Sequence, residues 1–348
     1  MQVIQVPDRP ASQSFYAVAG RLLFIESFDL QLTKLIEPLF AGWQLTPVSS
    51  PERSPDIRIE FYCGDSAPHT PSGLEPFETA YGGQCYAGRN EFYLAVGNSL
   101  IHLENGTPVT VRIWFDELPL PEDPMLARVS SFAVCAALRR FGIFELHSAG
   151  MIHPDSEKGV LIIGASGRGK STLAVQLAMA GWPYLSDDEL LLSLVDGEVE
   201  ARGFRSFFAV NDAAAAGLAS SNGALKTCFE PDAVFKSGRW PKASPGVLLF
   251  TSVSGERNTQ LLKLTQAESM ARLIRACPWA TYDRSIASAN LEVLSRLARQ
   301  TSAFDLQAGR DLLTPGYASD LLCNVAGLDT EVHPTLPRYG TDLIQADR

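Results

Sequence analysis

The chain has 348 residues, of which 46% are hydrophobic and 20% charged, a balance typical of a globular protein that can bury a sizeable core. Its length favours two domains, or one domain with a substantial extension. The formal net charge of −10 at pH 7 argues against broad electrostatic binding to nucleic acid or to an anionic membrane.

The first residues contain neither a basic segment nor a long apolar run, so we expect no signal peptide. No stretch approaches the roughly 18 consecutive apolar residues of a spanning helix, and we expect a cytoplasmic protein without membrane contact. The six cysteines are scattered and form no C-x-x-C pair, which favours reduced thiols over a zinc site or a disulfide framework.

Residues 1–120 are strand-rich, with short runs of β-branched and aromatic residues at 22–25, 57–62 and 91–96. Residues 100–104 and 109–115 predict a hairpin in which Asn105-Gly106 forms a two-residue turn. His102 lies on the polar face of this hairpin, where we expect it to be solvated.

The proline-rich segment 118–124 predicts a domain boundary, dividing the chain into 1–120 and 121–348. Asp123-Pro124 is typical of a helix start, and the helix is expected to continue to Arg140. Its apolar positions recur at helical spacing, which predicts that it packs on the second domain.

From about residue 142 the pattern is mixed α/β. A strand at 144–147 precedes a hairpin that turns at 154–159, and a buried strand at 159–163 leads into a helix at 171–180 that Gly181 ends. The later predicted elements are a hairpin at 189–195 and 198–202, a strand at 246–252, and helices at 266–276 and 286–300.

The segment between the buried strand and the helix matches every fixed position of the phosphate-binding pattern G-x-x-x-x-G-K-[ST]. Its glycines let successive backbone N–H groups turn inward around phosphate oxygens, and the helix N-terminus adds partial positive charge. The predicted nucleotide-binding residues are Gly164, Ser166, Gly167, Arg168, Gly169, Lys170, Ser171 and Thr172. The alternative is a glycine-rich turn that only caps a helix.

Most such proteins place a metal-organising aspartate at the end of a separate strand, but the strand near 247–253 ends without an acid. The acids instead follow the loop helix directly, as Asp187-Asp188. A short strand returning alongside the strand before the loop would bring them to the phosphates. The alternative is a solvated acidic turn.

Four ordered segments resemble the HPr kinase/phosphorylase family: His147-Ser-Ala-Gly, the phosphate loop, Leu185-Ser-Asp-Asp188 and Glu200-Ala-Arg-Gly203. The resemblance covers residues 142–205 well, continues diffusely to about 324, and does not include the first 120. It implies an α/β fold, namely a P-loop domain of the HPr kinase/phosphoenolpyruvate carboxykinase type, here preceded by a strand-rich N-terminal domain.

The resemblance also implies roles for individual residues. Lys170 would hold the β- and γ-phosphates of ATP, and Ser171 would coordinate Mg²⁺. Asp187 corresponds to the family's catalytic carboxylate, which takes the proton from the acceptor serine, and Asp188 would organise the metal or the loop. Phosphoryl transfer needs these parts, a phosphate cradle, a metal and a carboxylate near the acceptor.

Two further residues are candidates with open alternatives. His147 would lie beside the reacting phosphate, or it is a packed or hydrogen-bonded histidine. Glu200 would contribute to the metal site, or it belongs to a solvated strand face. The three cations of segment 236–242 could close over phosphate, although a plain solvated loop is the favoured interpretation.

The leading hypothesis is therefore an ATP- and Mg²⁺-dependent kinase for a serine-type hydroxyl on a peptide, a small protein or a small molecule, with residues 1–120 recognising the acceptor. No clear counterpart of the arginine-rich segment tied to reverse phosphorolysis is visible, so phosphorylase activity is not expected. The alternative is an ATP-binding regulatory or assembly protein without a phosphorylated partner. Homo-oligomerisation is left open.

Overall fold

A computed structural model of the chain describes residues 9–64, 74–79, 83–121, 123–210, 227–277 and 279–326. The first strands are β1 (Ser12–Val18), β2 (Arg21–Ser27), β3 (Thr46–Pro47), β4 (Ile57–Cys63), β5 (Phe77–Glu78), β6 (Gln84–Ala87), β7 (Glu91–Val96), β8 (Ser99–Glu104) and β9 (Val109–Phe115). The later strands are β10 (Ile143–Leu146), β11 (Ser148–Ile152), β12 (Gly159–Ile163), β13 (Tyr184–Ser186), β14 (Leu190–Val195), β15 (Glu198–Gly203), β16 (Phe208–Val210), β17 (Thr227–Phe229), β18 (Lys242–Ala243), β19 (Pro245–Val253), β20 (Gln260–Lys263) and β21 (Ser302–Ala308).

The α-helices are α1 (Leu30–Ala41), α2 (Pro124–Arg139), α3 (Lys170–Met179), α4 (Pro231–Val234), α5 (Gln266–Ala276), α6 (Trp279–Tyr282), α7 (Ala287–Gln300) and α8 (Tyr317–Ala326), with a 3₁₀ helix at Arg310–Leu313. The predicted helices at 266–276 and 286–300 are confirmed as α5 and α7. None of the helices in the described ranges is both long and apolar enough to cross a membrane.

The strand-rich N-terminal part forms one nine-stranded sheet in the order β3-β1-β2-β4-β9-β8-β7-β6-β5. The central pairs β2–β4 and β4–β9 are parallel, and the others are antiparallel. The helix α1, which the sequence did not predict, starts at Asp29, whose carboxylate accepts from the backbone N–H of Leu32 at 2.7 Å. Leu32 and Phe40 then bury its apolar face in the core of this sheet.

The predicted hairpin is confirmed as β8 and β9, but the two-residue turn at its tip is wrong. Four residues separate the strands, and neither Asn105 nor Gly106 has a positive φ. A longer loop relaxes the need for the left-handed conformations of a two-residue turn. His102 is not solvated as predicted: its ring stacks on Tyr93 at a centroid distance of 4.2 Å.

The helix α2 joins the N-terminal sheet to the rest of the chain. Its residues Leu126, Val129 and Ala133 belong to the apolar core of the nine-stranded sheet, together with Leu191 and Phe204 from later strands and loops. The prediction that α2 packs on the second domain is therefore confirmed only in part. The helix also contacts β10, so both parts of the chain share this core.

A six-stranded mixed sheet, in the order β13-β11-β12-β19-β21-β20, forms the centre of the second part. On β12, Val160 and Ile162 face a core shared with α3 and α8, whereas Leu161 and Ile163 face a core shared with β14, α5 and α7. This alternation explains why β12 is an uninterrupted apolar run, since both of its faces are buried. The described residues thus form a mixed α/β fold.

A close contact at Gly203 fixes the N-terminal part against the strand that precedes the acid pair. The Gln44 side-chain amide donates to the carbonyl oxygens of Leu185 (2.7 Å) and Arg205 (2.8 Å). A Cβ on Gly203 would overlap both the Leu185 carbonyl oxygen and the Gln44 side chain. Only glycine therefore lets the two parts approach this closely.

We predict that Gly203→Ala destabilises the protein by more than ~2 kcal/mol, because the overlap with backbone atoms cannot be relieved by a side-chain movement. The control is Gly20→Ala, where φ is +78° and no atom lies near the added Cβ. Only the left-handed strain of about 1 kcal/mol should appear there. Urea unfolding of both variants measures the difference, and equal losses would contradict the proposed close contact.

Candidate active site

The loop between β12 and α3 has the backbone conformation that its glycines allow. Gly167 and Gly169 have φ values of +78° and +87°, in the left-handed region. Gly164 needs to be glycine for a different reason, since a Cβ would lie 2.7 Å from the Thr251 hydroxyl oxygen on the neighbouring β19. No side chain caps the N-terminus of α3, so its first backbone N–H groups can bind an anion.

Lys170, the first residue of α3, is 6% exposed. Its ammonium donates to the Gly164 carbonyl oxygen at 2.7 Å and lies 3.0 Å from Nε2 of His147. Nδ1 of His147 is 3.3 Å from an Asp188 carboxylate oxygen. This arrangement fits a neutral imidazole that accepts from Lys170 and donates to Asp188.

The environment of His147 favours that neutral form. Desolvation lowers the pKa of His147, and the cations Lys170 and Arg205 lower it further, against the opposing effect of Asp188. Of the alternative, a packed histidine does not describe this residue, because 46% of its side chain is exposed, whereas a hydrogen-bonded histidine does, since its ring nitrogens contact Lys170 and Asp188.

Asp187 and Asp188 lie in contrasting environments. Asp187 is 1% exposed, whereas 37% of the Asp188 side chain is exposed. One Asp187 oxygen accepts from the Ala209 backbone N–H at 2.9 Å, and the other, Oδ1, is buried with no hydrogen-bond partner among the described residues. The solvated-turn alternative is therefore wrong for Asp187.

Burial raises the pKa of Asp187 to about 6, even though the Ala209 N–H and the nearby Ser171 side chain favour its charged form. Ser171 thus connects the loop to this carboxylate.

The strand that places the acids beside the loop differs from the prediction in one respect. The short strand β13 pairs with β11, which lies between it and β12, and not with β12 itself.

Arg205 and Glu189 belong to the same group of charges, although sequence reasoning did not identify them. Nε of Arg205 lies 3.2 Å from a Glu189 oxygen and 3.9 Å from an Asp188 oxygen. Burial raises the pKa of Glu189. The only sequence signal was adjacency, since Glu189 follows the acid pair directly and Arg205 comes two residues after Gly203.

The structure does not bring Glu200 to the other candidate residues. Its carboxylate forms ion pairs with Lys242 and Arg202, both at 2.6 Å, so it is neither a solvated face nor placed to ligate a metal at the loop. Segment 236–242 is similarly engaged, because Arg239 pairs with Asp232 at 3.2 Å. Two of its three cations therefore already have carboxylate partners.

A cavity of about 920 Å³ opens beside the loop. From the loop it is lined by Ala165, Ser166, Gly167, Gly169, Lys170, Ser171 and Thr172, and from the charged group by His147, Asp188, Glu189 and Arg205. Among the predicted site residues, Gly164, Arg168, Asp187 and Glu200 do not line it. The cavity continues away from the loop along α2 and β7.

The raised pKa of Asp187 predicts a stability gain for Asp187→Asn in metal-free protein. The folded-state pKa lies above the ordinary value of 3.8, so folding binds a proton and is disfavoured as pH rises from about 4 through about 6. Denaturant unfolding should show the variant more stable than wild type by about 2 kcal/mol at pH 8, with a smaller difference at pH 4. A pH-independent difference would contradict this assignment.

No protein-family model and no curated protein matches this chain. Among solved structures, the chain is similar to the Hpr(Ser) kinase/phosphatase from Coxiella burnetii. That match has 12% sequence identity and a TM-score of 0.32, and it covers 52% of this chain and 89% of the other. We therefore derive the function from the residues of the site.

Proposed function

We propose that the protein is a kinase that transfers the γ-phosphoryl group of ATP to a serine-type hydroxyl. The observation that carries this proposal is that the two adjacent aspartates beside the loop lie in different environments. Asp187 is buried next to Ser171, whereas Asp188 faces the cavity and contacts His147. One carboxylate can then serve the metal site while the other serves the acceptor, which are the two carboxylate tasks of phosphoryl transfer.

The loop supplies the phosphate site. Backbone N–H groups of the glycine-rich segment would bind the α- and β-phosphates, and Lys170 would reach the β- and γ-phosphates. In the described structure the Lys170 ammonium contacts the Gly164 carbonyl and His147. Phosphate oxygens would take over some of these contacts, because charge-assisted hydrogen bonds are stronger than neutral ones.

Ser171 and Asp187 would hold a Mg²⁺ ion. The buried Oδ1 of Asp187 has no hydrogen-bond partner among the described residues, and leaving such an atom unpaired is costly. A hydroxyl and a carboxylate oxygen are ligands that Mg²⁺ prefers. When bound, the ion supplies positive charge that offsets the charge of the phosphate oxygens.

Asp188 is the better candidate for the base. Transfer forms a bond between the acceptor oxygen and the γ-phosphorus while the bond to the β,γ-bridging oxygen breaks, and that electron pair leaves with ADP. The hydroxyl proton goes to a carboxylate that must reach the acceptor. Asp188 lines the cavity and Asp187 does not. This favours Asp188 as the base and Asp187 as the metal ligand, whereas the sequence resemblance implied the opposite roles.

The cations beside Asp188 would act on the transferred group. Lys170 and Arg205 both line the cavity, and Arg205 lies 3.9 Å from an Asp188 oxygen. Fixed positive charge next to the reacting phosphoryl group stabilises the charge that develops in the transition state. His147 holds the other Asp188 oxygen at 3.3 Å and thereby orients the base.

The two aspartates are separated by comparing Asp188→Asn with Asp187→Asn. We expect Asp188→Asn to keep Mg·ATP affinity within about threefold and to lose transfer by on the order of 100-fold or more, as removal of a general base does. Asp187→Asn should weaken ATP binding only when Mg²⁺ is present. Calorimetry with and without Mg²⁺ measures binding, and mass spectrometry of the products of neighbouring genes after incubation with Mg·ATP measures transfer.

If Asp187→Asn loses transfer with unchanged Mg²⁺ dependence while Asp188→Asn stays active, then Asp187 is the base, as the sequence resemblance implied. ATP binding without any phosphorylated product from the wild type would instead favour the regulatory or assembly alternative.

We expect Lys170→Ala to weaken ATP binding by on the order of 100-fold, because it removes the cation that contacts two phosphates. Lys263→Ala is the matched control, since this exposed lysine on β20 does not line the cavity. Calorimetry should show an unchanged dissociation constant for the control. An unchanged constant for Lys170→Ala would contradict the assignment of the loop.

A further inference from the structure

The cavity continues from the base to α2. Arg205 bridges Asp188 and Glu189, at 3.9 and 3.2 Å, and Glu189 accepts a hydrogen bond from the Ser131 hydroxyl of α2 at 3.2 Å. Cys135, one turn further along α2, also contacts Glu189. A continuous set of contacts therefore leads from the proposed base to one face of α2.

That face of α2 becomes apolar towards its N-terminus. Met125, Val129 and Phe132 line the cavity and follow helical spacing, with Leu94 and Val96 of β7 also in the lining. They belong to or pack against the core of the nine-stranded sheet. The wall of the cavity away from the phosphate loop is thus built mainly from α2, with Leu94 and Val96 contributed by the N-terminal sheet.

An aromatic pair gives this wall a defined shape. The rings of Phe132 and Trp279 lie 4.6 Å apart, and the Arg139 guanidinium lies 5.2 Å from the first and 5.0 Å from the second. Arg139 is itself buried and forms an ion pair with Glu145. A cation held over two rings restricts their movement and offers a fixed aromatic surface to a ligand.

One cation of the wall has no carboxylate partner in the described part of the chain. The lining carboxylates Glu145 and Glu189 are paired with Arg139 and Arg205. Arg128 also lines the cavity, is exposed, and has no described carboxylate within 4.0 Å. Along the axis of α2, Arg128 lies about 5–10 Å from Ser131 and Cys135, the residues that contact Glu189, because each helical residue rises by about 1.5 Å.

We infer that this chamber, lined by Met125, Arg128, Val129, Phe132, Leu94 and Trp279, binds the hydroxyl acceptor of the proposed kinase. The inference rests on that proposed function. The acceptor carries an apolar or aromatic group that packs on Phe132 and Trp279, and an anionic group that pairs with Arg128.

Two observations favour the acceptor over the nucleoside as the occupant. The Lys170 ammonium contacts His147, which in turn contacts Asp188, so the γ-phosphate end of the loop is the end next to the proposed base. The cavity of about 920 Å³ also extends from the loop to α2 and β7, so its far end is lined by residues other than those that would hold the triphosphate.

The test uses two fluorescent probes on the full chain: the anionic aromatic 8-anilinonaphthalene-1-sulfonate and the neutral aromatic Nile red. Arg128→Gln should weaken binding of the anionic probe about two- to fivefold, the range for an exposed ion pair, and leave Nile red binding unchanged. Arg299→Gln, an exposed arginine that does not line the cavity, is the control and should change neither. Unchanged affinity for the anionic probe, or equal loss of both probes, would overturn the inference.

A second measurement repeats the titration in saturating Mg·ATP. The inference expects the anionic probe to remain bound, because the chamber and the phosphate loop hold different ligands. Displacement of the probe would assign the chamber to the nucleoside and overturn the inference, while the nucleotide-binding part of the proposed function would stand. Absence of ATP binding by calorimetry would overturn the proposed function instead, so the two failures are distinguishable.

Discussion

The antiparallel pairing of β11 with both β12 and β13 is the constraint on which the site depends. Ser148 at the start of β11 pairs with Ile163 at the end of β12, and Gly150 pairs with Ser186 at the end of β13. Three chain segments therefore meet at the same end of these strands: the residue before β11, the loop after β12 and the acids after β13. The Ser148 backbone N–H donates to the Asp188 carbonyl at 3.1 Å and fixes this meeting point.

Burial then gives chemically similar residues different properties. Asp187 is buried next to Ser171, and burial raises its pKa, while Asp188 lines the cavity and contacts His147 and Arg205. A buried polar atom without a hydrogen-bond partner is costly, and the unpaired oxygen of Asp187 is the observation behind the proposed Mg²⁺ site. The proposed division of labour between the two acids rests on this difference.

The N-terminal sheet and the loop region are coupled by packing and not by a shared motif. Gln44 donates to the carbonyl oxygens of Leu185 and Arg205, and Gly203 leaves room for that contact. The helix α2 contributes both to the apolar core of the first sheet and to the cavity wall. The proposed acceptor chamber exists because α2 faces both parts.

The local pattern of the sequence was enough to predict the strand–loop–helix unit around Lys170, the hairpins and the helices α5 and α7, because periodicity and glycine spacing are properties of neighbouring residues. The same holds for the acid pair as a candidate. Only the tertiary structure decided that Glu200 pairs with cations elsewhere, that Arg205 joins the site and that α2 packs under the first sheet. Burial and long-range contact set these outcomes, and neither is encoded in the spacing of residues along the chain.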